Sequence, residues 1–328
     1  MSQESPGLVA GMERHQVAIY LGAMAAGGIM GWTAPGAGPG LEHAINPILG
    51  ALLYVTFLQV PARDLVRSLR TGRFLAAALV VNFLVVPLVV AAMFTFLPAD
   101  QAVRLGVLLV LLCPCVDYVI VFSGLAGAAN QRLLGATPVL LLVQMLLLPL
   151  FLYLFLGSGL TDVVKAGPFL QAFLFLIVIP LALAWATQAW GARKPAGQKV
   201  SGGMTVLMVP LMAATLLTVV ASQVPKLHDN LSDVARVIPF YALFLLVMAF
   251  AGLGVARLFR MDVPASRAIV FTGATRNSLV VLPLALALPS DLAIAAVVVV
   301  TQTLVEVIGM IIYVRGVPRL LPTPVPPS

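Results

Sequence analysis

The sequence predicts an all-α polytopic membrane protein of about ten transmembrane helices. They form a five-plus-five inverted repeat whose fourth and ninth helices are broken and cross. Three observations predict this. Of the 328 residues, 61% are hydrophobic and 9% are charged, with a mean hydropathy of +1.07, far from the composition of a soluble domain. Apolar runs long enough to cross a bilayer recur along the whole chain, and because they are continuous rather than alternating they read as helices. Two of these runs are each interrupted by a helix breaker followed by an ionisable residue, at Cys113-Pro114-Cys115-Val116-Asp117-Tyr118 and at Thr272-Gly273-Ala274-Thr275-Arg276-Asn277.

In chain order, spans are expected at about Gln16–Trp32, Ile45–Val60, Phe74–Leu97, Val103–Ala128, Leu133–Leu156, Pro168–Trp190, Met204–Ala221, Val237–Phe259, Ala265–Leu288 and Leu292–Val314. Their connections can be checked by charge. Arg14, Arg63, Arg67, Arg70, Arg73, Arg132, Arg193, Lys194, Lys199, Arg257, Arg260, Arg267, Arg315 and Arg319 all fall on the side of the N-terminus. The other side holds only Arg104, Lys165, Lys226 and Arg236. That asymmetry places both termini in the cytoplasm. The first span could pass for a signal peptide, but removing it would scramble the alternation, so it is expected to stay.

The first repeat is expected over 1–165 and the second, inverted, over 166–321. Gly191–Gly203 is expected to be the longest cytoplasmic linker near the middle, and 322–328 a disordered tail. The net charge of +7 follows from residues beside the spans and does not point to nucleic acid. Two cysteines with one residue between them make a strained disulfide and read as free thiols. His15, His43 and His228 lie in connections or at span ends and are assigned neither metal nor catalysis. With no nucleophile set or phosphate-binding loop in a plausible setting, an enzyme is not expected.

Sliding the chain by 159 positions (272 less 113) lays the first interrupted stretch on the second. Gln144 of the fifth span then falls on Gln302 of the tenth after a one-residue adjustment. Five spans per half is an odd number, so the halves must be oppositely oriented, and paired broken helices mark a transporter's midplane site. Pro114 drives Cys113 out of helical geometry, and Gly273 to Thr275 are the flexible counterpart. Asp117 and Arg276 cost on the order of 3 kcal/mol each at this depth and are expected to pair. Asn277 and Ser278 are cap candidates for the second half-helix. Glu306 lies four residues after Gln302 on one helix face and is a candidate proton carrier. In an extended Cys-Pro-Cys, Cys113 and Cys115 face one side and suit a thiophilic species. Asn82 and Gln144 read as interhelical polar contacts.

Ten spans, an inverted repeat and the stretches Cys113-Pro-Cys-Val-Asp-Tyr-Val-Ile-Val-Phe-Ser-Gly-Leu and Phe271-Thr-Gly-Ala-Thr-Arg-Asn-Ser-Leu-Val-Val-Leu-Pro resemble the bile acid/sodium symporter superfamily. These stretches look like its bacterial arsenic resistance members, the arsenite efflux permeases. The resemblance implies a panel of helices one, two, six and seven and a core of the rest. Sodium-coupled members carry an acid and a Gln before the ninth-helix Asn. Here Thr272 and Arg276 stand at those positions, which implies a fixed positive charge where sodium would bind. Arsenite permeases have a fourth-helix cysteine, which Cys113 or Cys115 matches. Their acid after the ninth-helix break has no match in Ser278–Ala287, which leaves that role to Asp117 or Glu306.

The implied function is secondary transport in the cytoplasmic membrane, as proton-coupled efflux of arsenite or a related metalloid. The substrate would meet Cys113, Cys115, Arg276 and Asn277, with Asp117 and Glu306 coupling. Pro114, Tyr118, Thr272, Thr275, Ser278, Gln302 and Gln144 would support them. The alternative is a small organic anion whose carboxylate pairs with Arg276. No cofactor is expected, the coupling ion is read as a proton rather than sodium, and the protein as a monomer or weak homo-oligomer.

Overall fold

The structure is a computed structural model that describes residues 11–12, 14–59, 72–115, 118–157, 171, 174–229 and 231–322. The regular elements among them are all helical. In chain order they are α1 (Gln16–Thr33), α2 (Gly38–Leu58), α3 (Gly72–Phe94), α4 (Gln101–Leu111), α5 (Tyr118–Leu125), α6 (Asn130–Leu156) and α7 (Ile179–Arg193). Then follow α8 (Pro195–Thr205), α9 (Met208–Asp229), α10 (Leu231–Leu258), α11 (Val263–Ala274), α12 (Ser278–Leu286) and α13 (Ile294–Leu320). Six of the described helices are long and apolar enough to cross a membrane, and the protein is an all-α polytopic membrane protein. The pieces α4, α5, α11 and α12 have only 8 to 12 residues. At about 1.5 Å per residue none of them reaches across alone.

Local sequence explains the boundaries. Asp100 caps α4 by accepting from Val103 N at 2.9 Å, and Asp262 caps α11 by accepting from Ala265 N at 2.8 Å. Each satisfies an N–H that the first helical turn leaves unpaired. Two π turns interrupt the apolar helices, at Val81–Val85 within α3 and at Leu174–Val178 before α7. Each is followed, after one residue, by a proline, Pro87 and Pro180, whose missing N–H breaks the regular ladder. The stretch Gly191–Gly203 is not the linker expected from its composition. Helix α7 runs through Arg193 and α8 fills the remainder. Pro195 sits in the first turn of α8, where its fixed φ favours a helix. Gly197 lets the two helices touch, since a Cβ there would lie 2.5 Å from Gly191 N.

The chain divides into two compact units, Met1–Pro61 with Gly167–Leu231, and Ala62–Ala166 with Ser232–Ser328. These are helices one, two, six and seven against the rest, as the resemblance implies. In the first unit α1 lies along α9. A Cβ on Gly27 or Gly31 would come within 2.6 Å of Leu217 O or 2.7 Å of Ala221 O, the close backbone approach that small residues permit in membranes. Tyr54 and Thr187 share a hydroxyl hydrogen bond of 2.9 Å between α2 and α7. In the second unit α11 and α12 are buried almost throughout. Helix α4 packs against α13 at Gly106, where a Cβ would be 2.8 Å from Ala295 O.

Candidate functional site

The second unit is organised around the place where both broken spans lose their helical ladder. Helix α4 ends at Leu111 because Pro114 cannot donate and disfavours helical geometry at Cys113. Helix α11 ends at Ala274, and α12 begins under an Asn277 cap whose Oδ1 accepts from Val280 N at 3.2 Å. Between them Pro114 and Arg276 form an antiparallel bridge. Asn277 N donates to Cys113 O at 2.8 Å and Cys115 N donates to Thr275 O at 3.2 Å. The freed backbone groups thus satisfy one another inside the protein, a condition for irregular chain at membrane depth.

The bridge corrects two expectations. The unwound part of the ninth span is Thr275–Asn277, whereas Gly273 is still helical. Gly273 is required for packing, because a Cβ there would meet Val81 Cγ2 at 2.7 Å. The residue opposite Arg276 differs as well. The bridge matches Pro114 to Arg276, and the capping aspartates Asp100 and Asp262 keep the same separation of 162 (276 less 114, 262 less 100). The offset of 159 expected from the sequence sets Asp117 opposite Arg276.

Arg276 is completely buried. Its Nη2 donates to Asn82 Oδ1 at 2.7 Å, Thr272 O at 2.7 Å and Gly273 O at 2.8 Å, and its Nη1 donates to Leu111 O at 3.3 Å. The guanidinium therefore closes the carbonyl ends of both α4 and α11, where the helix dipoles are negative. The Phe244 ring lies beneath it, 5.6 Å from Cζ. Asn82 stands in the π turn and also donates to Thr272 Oγ1 at 3.2 Å and to Ala78 O at 2.9 Å. Asn82 is thus an interhelical polar contact, as its sequence suggests, and its partner is the broken span. The signal for its place was a polar residue five positions before a proline in an apolar run.

Glu306, also fully buried, reaches the backbone of the same bridge. Its Oε2 accepts from Arg276 N at 2.8 Å and from Gln302 Nε2, and its Oε1 accepts from the Tyr118 hydroxyl. Tyr118 Oη also lies 3.3 Å from Arg276 O, so one hydroxyl proton has two acceptors. Thr303 and Ser278 join α13 to α12 through hydroxyls 2.7 Å apart. Thr275 Oγ1 turns back to Phe271 O at 2.9 Å. Cys113 and Cys115 flank Pro114, buried and in no disulfide.

The structure thus gathers Cys113, Pro114, Cys115, Tyr118, Thr272, Thr275, Arg276, Asn277, Ser278, Gln302 and Glu306 around one crossing. Gln144 is buried on α6, and its amide finds no hydrogen-bond partner among the described residues. Asp117 lies outside the described residues. Arg276 Nε, Asn277 Nδ2 and Gln302 Oε1 are further buried polar atoms without a partner among them, and all three belong to residues of the crossing. Among the described residues no three His, Cys, Asp or Glu side chains cluster as a metal site would need.

The model of the sodium bile acid symporter family matches residues 46–228, more than half of the chain. The chain belongs to the sodium bile acid symporter family. The match takes in the first break and ends before the second. Members of the sodium bile acid symporter family are membrane transporters rather than enzymes, and a bilayer and a small-molecule substrate follow as partners. No curated protein matches the sequence.

Proposed function

We propose that the chain is a secondary active transporter of the cytoplasmic membrane, with both termini inside, that exports arsenite or a related metalloid hydroxide in exchange for protons. The observation that carries this reading is the pair of thiols either side of Pro114, on the bridge where the two broken spans meet. Soft sulfur ligands select thiophilic centres. Each As–S bond formed from a thiol and an As–OH group releases one water, so capture and release need no oxidant. Both thiols are buried in this conformation, and capture therefore belongs to another state of the transport cycle.

Coupling is assigned to Glu306 with Asp117. Glu306 touches the bridge backbone through Arg276 N–H, so a change in its hydrogen bonding bears directly on the crossing. The Arg276 guanidinium occupies a ring of oxygens from Leu111, Thr272, Gly273 and Asn82. It serves as a cation that is part of the chain, and transport is accordingly read as independent of sodium. The same bonds weigh against the organic-anion alternative, because a substrate carboxylate would compete with contacts Arg276 already makes. The five-helix inverted repeat over 1–165 and 166–321 is supported by the antiparallel bridge and the matched Asp caps.

Expression in arsenite-sensitive cells should lower cellular arsenite and raise tolerance, and Cys113→Ser with Cys115→Ser should abolish both at unchanged membrane levels. Full export by that double variant would remove the thiol site and favour an organic anion. In vesicles, export should follow an imposed pH gradient without sodium. A strict sodium requirement would overturn the coupling assignment.

A further inference from the structure

A second polar feature of the same unit lies away from the crossing, where α10 turns into α11. Helix α10 closes with Met261 N donating to Ala256 O at 3.0 Å and Arg260 N donating to Arg257 O at 2.9 Å. In such a C-terminal motif the residue in left-handed geometry is usually glycine. Here it is Arg260, with φ +48°, the one non-glycine residue of positive φ among the described residues. A long side chain kept in a conformation that disfavours it points to a use for that side chain.

The surroundings suggest the use. Arg260, Arg73 and Arg132 line an open pocket with Gly72, Phe74, Met261 and Asp262. Arg73 is fixed by donating through Nη2 to Arg260 O at 3.0 Å and to Phe259 O. Arg132 pairs with Asp262 Oδ2 at 2.9 Å, while Asp262 Oδ1 accepts from Ala265 N. Both oxygens of the one carboxylate in the pocket are thus engaged, and the three arginines leave the lining net positive. The Arg260 side chain has neither hydrogen bond nor ion pair among the described residues.

One face of α10 carries Leu243, Leu246, Phe250 and Leu258, all exposed, and runs up to Arg257 and Arg260. In a membrane protein such an exposed apolar stripe suits acyl chains, and this one ends at Leu258, two residues before Arg260 of the pocket. We propose that the pocket seats the phosphodiester headgroup of an anionic phospholipid whose chains lie along the α10 stripe. Planar guanidinium forks match phosphate oxygens, and basic pockets between spans at the cytoplasmic face suit such headgroups. The stripe favours a lipid over free phosphate, which would use the pocket alone.

The test uses the full chain in nanodiscs of phosphatidylcholine alone or with about one third phosphatidylglycerol, reading the thermal unfolding midpoint. Phosphatidylglycerol should raise the midpoint by several degrees, and millimolar inorganic phosphate in phosphatidylcholine should not. Arg260→Gly relieves the backbone and should melt no lower than wild type in phosphatidylcholine, yet lose at least half of the lipid-dependent rise. Arg315→Gln, an exposed arginine elsewhere, should keep the full rise. The proposal is overturned if Arg260→Gly keeps the full rise, if Arg315→Gln loses as much, or if phosphate alone reproduces it.

Discussion

Arg276 satisfies two helix ends and the Asn82 amide of a π turn at once. Replacing it with Met leaves Asn82 Oδ1 and the carbonyls of Leu111, Thr272 and Gly273 short of a buried donor. Each orphaned group costs about 1–3 kcal/mol, and loss of a buried charged partner is typically about 3–5 kcal/mol. Arg276→Met should therefore lower the unfolding midpoint in detergent by many degrees. Arg276→Lys should recover only part of it, since an ammonium cannot make the same fork. A Met variant that melts with wild type would show that these contacts carry no energy. Glu306 is a separate case. Glu306→Gln turns an NH2 with two N–H groups into a place filled by three donors, and it should lose pH-driven flux more completely than it loses stability. The measurement compares flux under a pH gradient with substrate-induced stabilisation of the same preparation.

At the level of the helices, Asp100 and Asp262 play the same part for α4 and α11. Asp100→Ala and Asp262→Ala should each cost about 1 kcal/mol, and the two losses should add, because the residues share no partner. Packing by absent side chains gives a sharper expectation. Gly31→Val places atoms well inside 3 Å of the Ala221 carbonyl, and Gly106→Val does so at the Ala295 carbonyl. Each should reduce the yield of monodisperse protein far more than the same change at Gly28, which has nothing within 4 Å. Spans, breaks, the Asn277 cap and the Gln302–Glu306 neighbourhood were legible because each depends on residues close in sequence. The partner of Asn82 was not, because only the fold brings a π turn of the third span beside Arg276. The pairing at the crossing was missed for a related reason. Matching side chains set Asp117 opposite Arg276, whereas the backbone sets Pro114 there, because the bridge bonds are made by its neighbours Cys113 O and Cys115 N and ask no N–H of the proline.

Across the whole molecule, an inverted repeat predicts that the entrances of α4 and α11 open to opposite sides of the membrane. In a background with Cys113 and Cys115 replaced by Ser, cysteines introduced at Ala99 and at Met261 should label from opposite faces with an impermeant thiol reagent. Labelling of both from one face would end the inverted reading and, with it, the orientation drawn from the basic residues. The bonded guanidinium also bears on electrical work. A membrane potential of 100 mV is worth about 2.3 kcal/mol for each charge that traverses it, and a co-transported metal ion would collect that energy every cycle. A positive group tied into the ninth span collects none, as it never leaves. The current measured per substrate moved should then equal the proton stoichiometry alone, and a voltage clamp should find no residual charge when protons are held at equilibrium.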